Sequence, residues 1–149
     1  MAIAHEVAKR STCFRLNVGA VVVMENRIVS IGYNGAPAGE PHCSGNACPG
    51  VIPGNCPTVH AEVNALRHLP IELRSGTLKK EVYVTHSPCV DCAEECAQYG
   101  VTRIFFGAEH TRTIKETGNQ LWFRGVELFQ ITPAGYIVRY PDKQVVELT

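Results

Sequence analysis

"EVYVTHSPCVDCAEECAQYGVTRIFFG" (residues 81–107) reads as strand, helix and strand in succession. Its first six residues, "EVYVTH" (81–86), are rich in β-branched and aromatic side chains, as a strand favours. Pro88 has no amide hydrogen and a fixed φ, so it opens a helix over 89–98. "VTRIFFG" (101–107) then returns to strand chemistry. Working outward, "VGAVVVM" (18–24) and "RIVSIGYN" (27–34) are two further apolar runs, and the intervening Glu25-Asn26 predicts a tight hairpin. Residues 59–69 predict a helix with Val63, Leu66 and Leu69 inward. Residues 112–123 predict a weaker helix, and "VELFQIT" (126–132) a last core strand. An N-terminal helix over 2–13 carries apolar side chains at Ile3, Val7 and Ala8. The tail "YIVRYPDKQVVEL" (136–148) forms a hairpin or an arm. Strands alternating with helices after an initial hairpin indicate an α/β sandwich with a mixed sheet.

The 149 residues suit one compact domain, and 45% hydrophobic with 19% charged residues are globular values. Fourteen basic and fourteen acidic residues cancel. That balance argues against a long nucleic acid or an anionic membrane as partner. No apolar run approaches the roughly 18 residues that span a bilayer, and the opening "MAIAHEVAKRSTC" is not a signal peptide. The expectation is a cytoplasmic protein with reduced thiols, so its seven cysteines point to metal rather than to disulfides. Residues 35–58, "GAPAGEPHCSGNACPGVIPGNCPT", are too long for an ordinary loop and need a function or a staple.

"VHAEVNALRHL" (59–69) begins a helix with His60 and Glu62, neither of which serves a core. At a helix N-terminus, side chains two apart can reach one point, and free N–H groups favour negative charge there. Cys89 and Cys92, after Pro88, share one face of another first turn, and a helix end favours their thiolates. One histidine and two thiolates leave the fourth position of a tetrahedral zinc open, as in a catalytic site. Glu62 is then a carboxylate beside the metal, placed to move protons. The bland alternative is a closed zinc knuckle with Glu62 as a solvated cap. Two weak motifs, H-A-E and P-C-x-x-C, become strong together, and their pairing is a known signature of zinc nucleobase deaminases.

On these residues the chain resembles the cytidine/deoxycytidylate deaminase superfamily, and within it the deoxycytidylate (dCMP) branch. The likeness runs through "RSTCFRLNVGAVVV" (10–23), "GYNGAPAGEPHC" (32–43), "VHAEVNAL" (59–66), "YVTHSPCVDCA" (83–93) and "GVTRIFFG" (100–107). Asn64 and the "GYNG" turn favour the dCMP branch, and the tail beyond about residue 110 is not diagnostic. The resemblance implies a three-layer α/β/α sandwich around a central mixed five-stranded sheet. It implies one deaminase domain over 1–149, with a zinc-stapled insertion at about 35–58. The implied activity is hydrolysis of dCMP to dUMP and ammonia. Zinc ligands carry over to His60, Cys89 and Cys92, and the proton shuttle to Glu62, which moves a proton from water to N3 and then assists the leaving amine. Asn34 resembles the residue that orients sugar and base, or is an ordinary turn residue. Ala61 and Ser87 would line the base pocket through backbone.

Cys13, Cys43, Cys48 and Cys56, with His42 as substitute, form a candidate second, structural zinc site; buried thiols are the alternative. Cys96 and Trp122 read as core packing, and His5, His68 and His110 as surface or satisfied core. His86 could contact substrate, complete a metal site or be structural. Arg112, Lys115 and Arg15 are candidate phosphate contacts. The resemblance also implies a hexamer activated by dCTP and inhibited by dTTP, with Mg²⁺ on the triphosphate. The effector would lie near Gly32, Tyr33, Asn34 and Gly35; the bland alternative is that Gly32 and Gly35 merely make a tight turn. Two other functions stay open: deamination of another cytosine nucleotide, a nucleoside or a tRNA base, and a non-catalytic zinc-stapled binding module.

Overall fold

A computed structural model describes residues 1–43, 57–110 and 114–148. The fold is built on one sheet. β1 (Gly19–Met24) and β2 (Arg27–Tyr33) form the expected hairpin, with Met24 opposite Arg27. Glu25 and Asn26 both have positive φ, at 49° and 60°, the twist that a two-residue hairpin turn requires. α2 (Ala61–Arg67), β3 (Lys80–His86), α3 (Val90–Gln98), β4 (Val101–Ala108), α4 (Ile114–Phe123) and β5 (Glu127–Ile131) follow. The tail is a hairpin, β6 (Ile137–Tyr140) and β7 (Gln144–Val146), that adds to β5. The sheet therefore has seven strands in the order β2-β1-β3-β4-β5-β6-β7, not five. β3, β4 and β5 run parallel and every other pairing is antiparallel.

Strand alternation divides the core between two faces. Ala20, Val22, Val82, Val84, Ile104, Phe106 and Leu128 face the cluster closed by α2, α3 and α4. Val21, Val23 and Tyr83 face α1 (Ala2–Ala8), which contributes Ala4 and Val7. Tyr83, Phe105 and Phe129 stack across three strands, with ring centroids 4.7 and 5.2 Å apart. The three layers are those expected.

Some residues depart from expectation. α1 stops at Ala8 rather than 13, and Ile3 is 51% exposed. The chain turns away there, because the Ser11 hydroxyl donates to Asn34 at the end of β2. Val63 is only half-buried, while Ala65, Leu66 and Leu69 carry the inward face of α2. Trp122 is 57% exposed and is not core, whereas Cys96 is fully buried as expected. Gly32 has a packing reason: a Cβ there would collide with the α2 backbone at Ala61 and Ala65.

Candidate active site

α2 and α3 both begin at the same end of the sheet, beside the carboxyl end of β3, and a cavity of about 330 Å³ lies between these starts. His60 is the N-cap of α2 and Cys89 the N-cap of α3, each in extended backbone. Their side chains are thus free of the helix and turn toward one another. His60 Nδ1 lies 3.1 Å from Cys92 Sγ and 3.6 Å from Cys89 Sγ. One ligand atom from each of the three residues lies within 4.8 Å of the others, the group among the described residues that could hold a metal ion. A nitrogen and two sulfurs suit zinc, and a three-ligand set leaves a position open toward the cavity. The donors fit.

The two sulfurs share their protons unequally. The Cys92 thiol donates to Cys89, which draws the Cys89 pKa down to about 4 despite partial burial. Cys92 is correspondingly pushed far up, by that same bond and by burial.

Glu62 follows His60 by two residues, in the first turn of α2, and is 4% exposed. Burial pushes its pKa from 4.5 up to about 7, opposed by a backbone hydrogen bond and by the charge of His60. It lines the cavity without belonging to the ligand trio. A carboxyl group in that state exchanges protons near neutral pH.

Asn34, Ala61 and Ser87 all line this cavity. Most of the Asn34 amide is already committed. Its Oδ1 accepts from the Val18 N–H at 2.8 Å and from Ser11 Oγ, and its Nδ2 donates to the Leu16 carbonyl at 2.8 Å. Only a second N–H remains for a ligand, so Asn34 chiefly fixes the loop that forms one wall. Ser87 is buried, and its Oγ accepts from the His110 N–H at 2.8 Å. Arg112 lies outside the described residues, as do Cys48 and Cys56. Lys115 is exposed on α4 and is not a lining residue, whereas Arg15 is one.

Of the proposed second zinc ligands, Cys13 is buried in the wall of this same cavity and Cys43 is half-buried. His42 is exposed and lines a second cavity of about 840 Å³. That second cavity also takes in Gly32, Tyr33 and Gly35, together with Asn64, Arg67 and His68. A Cβ on Gly35 would press on Thr12 Oγ1, so this glycine, too, answers to packing. Asn64 donates to the Tyr33 carbonyl at 2.8 Å, tying α2 to the end of β2.

Leu16, Val18, Thr58 and His110 also line the first cavity, and the sequence reading did not select them for it. A topological rule could have found His110: ligands of open α/β sheets sit at the carboxyl ends of strands, and His110 follows β4 there.

Residues 1–108 match the profile of the cytidine and deoxycytidylate deaminase zinc-binding region. The chain belongs to that family. ComE operon protein 2 of Bacillus subtilis is 39% identical over 111 residues, 74% of this chain and 58% of that protein. The deoxycytidylate deaminase of Mycobacterium phage D29 is also 39% identical, over 122 residues that cover 73% of this chain and 91% of the phage enzyme. Among solved family structures, the dCMP deaminase of cyanophage S-TIM5 in complex with dCMP and dUMP is 30% identical. It covers 87% of this chain and 91% of its own, with a TM-score of 0.67. The likeness therefore spans nearly all of both phage enzymes but little more than half of the Bacillus relative. Among the described residues, no helix is long and apolar enough to cross a membrane.

Proposed function

We propose that the protein is a zinc-dependent dCMP deaminase, hydrolysing dCMP to dUMP and ammonia. One observation carries the reading: in a member of this family, the trio His60, Cys89 and Cys92 shares a cavity with the buried Glu62. The phage relatives named for this substrate support the choice of dCMP.

His60, Cys89 and Cys92 hold the zinc, which when bound supplies a Lewis acid that activates water near neutral pH. Glu62 then does the proton work. It takes a proton from the attacking water and delivers it to N3 of the base, which withdraws electrons from C4. Once the C4–O bond has formed, Glu62 takes the remaining proton from that oxygen and passes it to the amino group; the C4–N bond breaks, the C4 carbonyl forms and ammonia departs. Ala61 and Ser87 offer backbone groups to the base, and the second N–H of Asn34 is directed to the sugar. Ammonia release from dCMP, with cytidine and tRNA tested alongside, separates this reading from the other deaminase readings and from a binding module without chemistry. Net neutrality of the chain weighs against tRNA.

Residues 1–149 form one deaminase domain in this reading, acting in the cytoplasm to supply a dTTP precursor. A second, structural zinc on Cys13, Cys43, Cys48 and Cys56, with His42 as substitute, staples the loop at about 35–58. Metal analysis should then find two zinc ions per chain, and one in Cys48→Ser. The working form is a hexamer, activated by dCTP and inhibited by dTTP with Mg²⁺. Room for such an effector is supported by the second cavity, where Arg67 joins Gly32, Tyr33 and Gly35.

A further inference from the structure

The wall of the first cavity is anchored from beyond the stretch that matches the family profile. That match ends at residue 108, the last of β4. Just past it, the His110 N–H donates to Ser87 Oγ at 2.8 Å, and the Ser87 N–H donates to the Ala108 carbonyl at 2.8 Å. Ser87 and His110 both line the cavity, and Ser87 stands immediately before Pro88 and Cys89. The His110 ring also meets the ring of His86, another wall residue, edge to face with centroids 6.1 Å apart. Ala108, Glu109 and His110 are themselves exposed, so burial does not fix them in place.

A hydrogen bond from the tail hairpin does. Tyr140 sits on β6, with β5 between it and β4, and is 2% exposed. Its ring lies 5.5 Å from that of Phe106, in the core shared with α2, α3 and α4. From there the hydroxyl reaches past β5 and donates to Glu109 Oε1. Gln130 Oε1 lies 3.3 Å from the same hydroxyl, and Gln130 Nε2 donates to the Gly107 carbonyl at 3.1 Å. Lys143 Nζ stands 3.6 Å from Glu109 Oε1 and 5.3 Å from the centre of the Tyr140 ring. Burial, the bond to Glu109 and the charge of Glu109 all push the phenol pKa up, so Tyr140 keeps its proton and stays the donor. A bond to a carboxylate is stronger than one between neutral groups. The two residues after β4 are thus held on both flanks, Glu109 by the tail hairpin and His110 by Ser87.

We propose that Tyr140, acting through Glu109, is a positioning residue of the active site: the tail hairpin clasps the end of β4 and so holds His110 and Ser87 in the cavity wall. Neither Tyr140 nor Glu109 lines the cavity. The effect on turnover rests on the deaminase reading, whereas the effect on the wall does not.

Amide hydrogen exchange in the zinc-loaded protein tests the clasp without turnover. Tyr140→Phe keeps the ring and removes the donor, so exchange at Ser87 and His110 should rise about fivefold, the scale of one net hydrogen bond. Val82 and Ile104, buried at the centre of the sheet, should not follow. KM for dCMP should rise with the loosened wall, while kcat and zinc content hold, because Glu62 and the ligand trio lie on helix starts that the clasp does not touch. Glu109→Ala should reproduce both changes, and Glu109→Gln, which keeps an acceptor oxygen, should recover most of them. Combining Tyr140→Phe with Glu109→Ala should add nothing, since the two residues act as one unit. Asp142→Asn, which weakens the Arg139–Asp142 pair of the same hairpin, should leave Ser87 and His110 unchanged. Exchange at Ser87 and His110 that stays at the wild-type rate, or rises only in step with Val82 and Ile104, would overturn the proposal. The same selective loss in Asp142→Asn would overturn it too. Glu109→Ala, at an exposed position, supplies the comparison if Tyr140→Phe does not fold. Absence of ammonia release from every substrate by wild type would instead defeat the deaminase reading, while exchange would still decide the clasp.

Discussion

A carboxyl group at 4% exposure has to be paid for, and Glu62 shows how at the scale of one residue. Its pKa is 4.5 in the unfolded chain and about 7 in the fold, because burial disfavours the charged form. Below pH 4.5 the group is protonated in both states and its favourable contribution is complete. That contribution is lost as pH rises through about 7. In zinc-free protein, wild type should therefore lose about 3 kcal/mol relative to Glu62→Gln between pH 4.5 and about 7. Urea unfolding across that range measures it, and a flat difference would show that Glu62 is not buried as a titrating group. The pairs His60 with Glu62 and Cys89 with Cys92 were legible in the sequence because each opens a helix, whereas their meeting depends on α2 and α3 starting at the same end of the sheet. Asn34 was legible only as a position. Its amide is occupied by Ser11, Val18 and Leu16, and those contacts depend on where a distant loop is folded.

The elements were readable in proportion to how locally they are determined. The Glu25-Asn26 hairpin follows from two residues and their twist. The strand-helix-strand unit around Pro88 follows from propensity and one ring. By contrast, the seven-stranded count depends on β6 and β7 adding to β5, a pairing that no local pattern specifies. Lys80 is another non-local case. An ordinary reading leaves a lysine in water, yet this one is 1% exposed. Its Nζ donates to the carbonyls of Ser75, Leu78 and Tyr99 at 2.7–2.9 Å, closing the turn before β3 onto the end of α3. Lys80→Met should cost about 2–4 kcal/mol, since three carbonyls lose a charged donor while a buried charge is removed. Thermal unfolding checks this. Lys80 lies at the opposite end of β3 from His86, so turnover per folded molecule should hold.

For the whole molecule, the surface bears on assembly. β2 is an edge of the sheet and carries Ile28 and Ile31, each 47% exposed, with Tyr33 at 37% beside the second cavity. Exposed edges with apolar side chains are commonly covered by another chain. With the hexamer proposed, sedimentation should give about six times 16.3 kDa, and Ile31→Glu should shift the protein to smaller species. A wild-type monomer would remove that proposal and, with it, the basis for dCTP and dTTP control between subunits. None of this was visible in composition, which records how many apolar residues exist and not which ones the fold leaves outside.

Conversion of dCMP to dUMP should be followed in wild type and Glu62→Ala, with zinc content determined on the same samples. The wild type should turn over dCMP with release of ammonia. Glu62→Ala should keep its zinc and lose turnover by about 10²–10⁴-fold, the range of general acid–base catalysis. A zinc-loaded wild type that leaves dCMP unchanged, or a Glu62→Ala variant with near-normal turnover, would contradict the account.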